Sequence, residues 1–308
     1  MRQISFVLFF LHGLLLSAFG QQKNQVAVTI VTHDIDNFWK AYDANGSTLS
    51  PATFEELYLK AGSAGLKSFN KSRIKGAENL IKSINKRPQY YASLRESTYK
   101  IASMKERISQ IFEKMKELHP GMKPPTVYFV IGAMNSGGIS ADDGLIIGAD
   151  MYGLTSATDT SELDSWLKTV LKPVEEIPHI VAHELVHFYQ RYDGGTLLAA
   201  CIKEGGADYI AELISGKHIN QPVHAYANPR EKELWTEFQQ RMLEKDYSGW
   251  LYSSSPGRPN DLGYWMGYKI TKAFFDKSPD QKQAMKEFLN IKDFEKFLQD
   301  SGYAKRFQ

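Results

Sequence analysis

The segment Ile180–Tyr189, IVAHELVHFY, sets His183, Glu184 and His187 among apolar neighbours. Residues four apart share one face of a helix, so the two imidazoles can meet at a common point one turn apart. Zinc takes neutral nitrogen or carboxylate ligands at roughly 2 Å, and a catalytic site leaves one position to water. Glu184, next to His183, is then placed as a general base toward that water. Ile180, Val181, Leu185, Val186 and Phe188 predict a buried helix, which Pro178 can start. Burying three titratable groups without partners costs several kcal/mol, a penalty that a metal ion removes.

Two histidines do not complete such a site, and a third ligand is expected further on. The candidate is Glu204 in CIKEGGADYIAEL, at the head of another helical segment. Gly205 and Gly206 would let that backbone approach the first helix closely. Asp208, one turn after Glu204, can hydrogen-bond the far nitrogen of a ligand histidine and fix its tautomer. His179 precedes His183 by one turn, but the span from 179 to 187 covers about 12 Å of helix axis, too far for three imidazoles on one ion. Cys201 reads as a small buried hydrophobe. To stabilise an oxyanion, Tyr264 is the first candidate and Tyr268 the second, in GYWMGYKI, where Gly263 and Gly267 permit close packing. His224 and His218 come after them.

HELVH followed by EGGAD resembles the gluzincin pattern, HExxH with a downstream ExxxD, of thermolysin-like zinc metallopeptidases. The chain as a whole is similar to a family of secreted bacterial predicted zinc-dependent proteases, through DIDNFWKAYD, the SGG to GLIIGA region and GYWMGYKI. Carried over by position, the resemblance implies His183, His187 and Glu204 as zinc ligands, Glu184 as base, and Asp208 behind a ligand histidine. It also implies a zincin-like α+β fold, a small mixed sheet with an edge strand over the metal helix, and it names no particular substrate. GLIIGADM is the expected edge, along which a peptide would add as a strand. Gly132–Asn135, GAMN, lacks the glutamate with which gluzincin aminopeptidases hold a substrate amine, so no exopeptidase activity follows. The expected function is an exported zinc peptidase acting on a peptide or protein substrate. The alternative is a non-catalytic envelope protein with a metal-stabilised zincin fold that acts through binding.

The remaining elements must position these groups. Val26, Val28 and Ile30 alternate as in a strand, and TVYFVIG and LIIGADMYG read as two more. Between the last two lies the glycine-rich MNSGGISADDG, read as a connection. Apolar residues three and four apart predict helices in DNFWKAYD, TFEELYLKAG, AENLIKSINK and YKIASMKERISQIFEKMKEL, and again from SELDSWLKTVL to the C-terminal end. No repeat or linker interrupts residues 21–308, which read as one domain, of one or two lobes.

At the start, MRQISFVLFFLHGLLLSAFG reads as a signal peptide cleaved after Gly20, which predicts a periplasmic or extracellular protein. No cysteine stands near that boundary to carry a lipid, and no later segment is apolar enough to span a bilayer. Of 37 basic residues Arg2 falls in the leader, leaving 36 against 35 acidic ones. That balance, without a dense basic block, argues against nucleic acid as a partner. Cys201 is the single cysteine, so no internal disulfide is possible.

Overall fold

The computed structural model describes residues 26–307, other than 47, 143 and 254–256. The leader and its cleavage point after Gly20 lie outside the described residues. The fold is α+β and mostly helical, with one sheet of four strands. Strands β1 (Ile30–Val31), β2 (Val127–Val130), β3 (Gly138–Ala141) and β4 (Gly144–Gly148) lie in the order β1-β2-β4-β3. The first three in that order run parallel, and β3 is antiparallel to β4.

The strand edges differ from the sequence reading. GLIIG of β4 is an interior strand, paired on both sides and fully buried, so it is not the edge over the helix. The edge is β3, GISA, drawn from the stretch read as a connection. Its short residues give little hydrophobic alternation, yet they let its backbone lie against the His183 helix. A Cβ at Gly138 would stand 3.0 Å from Glu184 Oε1, and the Ser140 hydroxyl donates to the Glu184 carbonyl at 3.2 Å. At the other edge the alternating Val26–Ile30 stretch forms only a two-residue strand.

Helical spacing is followed closely where the apolar face meets the core. Ala77–Lys86 buries Ala77, Leu80, Ile81 and Ile84, and Lys105–Leu118 buries Ile108, Ile111, Phe112 and Met115. Buried apolar side chains from Ile35 to Tyr303 form one contiguous core.

Three helices build the site. Ile177–Tyr189 carries Pro178 in its first turn and buries Val181, Ala182, Leu185 and Val186 completely. Leu197–Ser215 is capped by Thr196, whose side chain accepts from the Ala199 amide, and ends at Gly216 with φ 78°. Leu262–Lys277 lies against it at backbone contact. A Cβ at Gly267 would meet the Cys201 carbonyl oxygen at 1.6 Å, and one at Gly205 the Tyr264 carbonyl oxygen at 2.0 Å. Gly205 therefore serves the approach of Leu262–Lys277 and not of the His183 helix, which corrects the expectation for it. Gly206 faces Phe288 and Thr271. Among the described residues no helix is long and apolar enough to cross a membrane.

Candidate metal centre

The helix pair Ile177–Tyr189 and Leu197–Ser215 brings one atom each of His183, His187 and Glu204 within 4.8 Å of one another. Nε2 of His183 and Nε2 of His187 are 2.9 Å apart, and Glu204 Oε2 is 3.7 Å from the first and 3.3 Å from the second. Tetrahedral zinc with bonds near 2.05 Å separates its ligand atoms by roughly 3.3 Å, a value these distances bracket.

Each imidazole is held from behind. His183 Nδ1 donates to Asp208 Oδ1 at 2.8 Å, and His187 Nδ1 donates to Gln190 Oε1 at 2.7 Å. With both Nδ1 atoms protonated, both Nε2 lone pairs face each other beside a carboxylate. That arrangement suits a cation between them, so the donor set fits a divalent metal of zinc type. Asp208 is itself buried, and its Oδ2 accepts from Asn220 Nδ2.

In the absence of metal a proton would substitute for it. Burial opposes charge on His183, but hydrogen bonds to Asp208 and Glu204 carry its pKa well above the usual histidine range. Burial pushes the Glu204 carboxyl up, and the neighbouring His187 and His183 outweigh this to leave it well below the usual range. Tyr252 donates its hydroxyl to Glu204 Oε1 at 3.0 Å. Burial, followed by the Glu204 charge, raises its phenol pKa.

These groups open on a cleft of about 810 Å³ lined by β3, the His183 helix and the 258–261 segment. Glu184 lines it beneath Gly138. Tyr264 lines it too, its ring stacked over His183 with centroids 6.2 Å apart. Tyr268 points elsewhere: its hydroxyl donates to Glu212 Oε2 at 2.7 Å and its ring stacks on His218. His218 and His224 bond to each other through Nε2, away from the metal ligands. His179 bonds Ser215 Oγ at 2.8 Å, and Cys201 is fully buried.

Sequence reasoning missed Gln190, Asn220 and Tyr252. Gln190, three residues after His187, ends the same helix and was accessible in principle. Tyr252 lies in a loop at φ 56°, without a periodic signal that could have found it.

No curated protein and no solved structure matches the chain. A family model does, described as Gliding motility protein GldB, over residues 20–305. This overturns the resemblance to gluzincins and to secreted zinc proteases, because the matching family is one of motility lipoproteins and not of peptidases. The peptidase reading is withdrawn with it, and so is the reaction in which Glu184 and Tyr264 were expected to act. The physical reason is that HExxH and a third ligand specify where an ion can sit, while turnover needs further features that these few residues do not encode. With the match running over nearly its whole length, the chain belongs to the GldB family of gliding motility proteins.

Proposed function

We propose that this chain is an exported, envelope-associated protein that holds a zinc ion on His183, His187 and Glu204 and acts by binding a protein partner in the cleft above it. The observation that carries the metal is the convergence of three donor atoms within 4.8 Å, with both imidazoles oriented from behind by Asp208 and Gln190. The ion ties the Ile177–Tyr189 helix to Leu197–Ser215 and so stabilises the floor of the cleft. The zincin-like reading is supported by β3 lying as an edge strand over the metal helix. Residues 21–308 act as one unit, a reading supported by the continuous core.

The family's lipoprotein label and the apolar leader support the envelope location. Cys201 is not a lipid attachment point in the folded protein, because it is buried between helices. The exported protein should begin at Gln21.

Zinc analysis of the purified mature protein tests the reading. One ion per chain is expected, with a thermal midpoint that falls on chelation and returns with zinc. A mixed peptide library should remain intact throughout. Zinc-dependent cleavage would overturn the binding role, and absence of zinc uptake would overturn the metal centre.

A further inference from the structure

The cleft carries a charge pattern and an open strand edge that together describe its occupant. The β3–β4 ladder pairs Ile139 with Ile146, and the Gly148 amide donates to the Gly137 carbonyl at 2.8 Å. In an antiparallel ladder the hydrogen-bonded pairs alternate, so the amide groups of Gly138 and Ser140 point away from β4. The Gly138 carbonyl accepts from Ser136 Oγ. The Gly138 N–H and both backbone groups of Ser140 have no partner among the described residues. Such an edge is a template for a further strand.

Arg73, Lys172 and Arg258 line the same cleft. Arg73 stands near the upstream end of β3, where its carbonyl accepts from Asn135 Nδ2 at 2.9 Å. Among the described residues, neither Arg73 nor Lys172 has a carboxylate within 4.0 Å. Arg258 is already paired, donating through Nη1 to Glu237, and its Nε and Nη2 are buried out of reach of a molecule in the cleft. Of the cleft carboxylates, Glu204 is paired with the ligand histidines and Asp261 accepts the Tyr252 amide at 2.8 Å, while Glu184 lies beneath Gly138 with its carboxylate on the cleft. A bound zinc ion would add two positive charges, leaving the lining short of anions.

Resting on the binding reading above, we propose that the occupant is an extended acidic segment of a partner protein, paired by its backbone with β3, its carboxylates against Arg73 and Lys172. Charge complementarity of this kind selects the partner and speeds its encounter.

The test uses the zinc-loaded mature protein and short fluorescent peptides that alternate threonine with glutamate, glutamine or lysine. Anisotropy should show the glutamate peptide binding at least about tenfold more tightly than the glutamine one, with no binding of the lysine peptide. R73E and K172E should each weaken the glutamate peptide by about tenfold at unchanged zinc content, and added salt should shrink the differences. N-methylation at alternate peptide residues should abolish binding, whereas amidation of the peptide C-terminus should leave it intact. Equal affinity for the glutamate and glutamine peptides would overturn the acidic segment while sparing the binding cleft. Loss of binding on amidation would overturn it in favour of a terminal carboxylate. Zinc uptake without affinity for any peptide would overturn the inference and leave the metal centre standing; failure of both zinc and peptide would take down the underlying reading.

Discussion

Replacement of Asp208 by alanine probes how the metal centre is built without touching a ligand atom. The substitution removes the 2.8 Å acceptor of His183 Nδ1 and also leaves Asn220 Nδ2 without its partner. A hydrogen bond to a charged group is worth about 1.5–3 kcal/mol net. Only part of this enters zinc affinity, because the same bond holds His183 before the ion arrives. What is lost is the fixed tautomer, the ring orientation and the added basicity of Nε2, and Tyr264 still covers one face of the ring. Zinc affinity should therefore fall by roughly ten- to a hundredfold, equivalent to about 1.4–2.7 kcal/mol. Glu204→Ala, which deletes a bond to the ion itself, should lose more. Asp208→Asn should fall between wild type and Asp208→Ala, since its one amide oxygen can serve only one of the two donors. Competition against a chromophoric chelator at fixed pH measures all three, with far-ultraviolet circular dichroism as the check on folding. An Asp208→Ala affinity within about twofold of wild type, or a loss exceeding that of Glu204→Ala, would refute the assignment of Asp208 as the orienting group.

Gly267→Ala should destabilise the protein by about 3 kcal/mol and lower Tm by roughly 6 °C or more, since its Cβ would stand 1.6 Å from the Cys201 carbonyl oxygen; an unchanged Tm would contradict the helix contact. Tyr252→Phe removes the 3.0 Å bond to Glu204 and should weaken zinc by about two- to fivefold, roughly 0.5–1 kcal/mol, whereas a loss matching Glu204→Ala would make Tyr252 itself a ligand. The Asp150 carboxyl accepts the Gly132 and Met134 amides, and burial pushes its pKa up from 3.8 to about 6. Because the folded value is the higher one, its contribution to stability is fully present below about pH 4 and lost as pH rises through about 6, by up to about 3 kcal/mol. Denaturant titrations of wild type and the non-titrating Asp150→Asn should show the wild type's relative stability falling over that window, and a relative stability that rises instead would refute the assignment.

Periodicity alone placed most of the helices, because an apolar face three and four residues apart has few other ways to be buried; Ala77–Lys86 is bounded as its spacing predicts. The same regularity put His183 and His187 on one face and marked Glu204 and Asp208 as sharing another. Local spacing could not decide what those faces meet. Gly205 looked suited to the His183 helix, yet its missing Cβ admits the Tyr264 backbone of Leu262–Lys277. The edge strand was hidden in GISA, whose short side chains carry no alternation, while the strongly apolar GLIIG is interior because both its faces and both its edges are covered. Gln190, Asn220 and Tyr252 reach the site through a helix end and two loops, so their roles depend on how distant segments close on each other. The five-residue histidine motif reports ligand chemistry on one helical turn. Three converging donors, an open edge and unpaired cations exist only once helices and sheet pack, because each is a relation between residues far apart in the chain.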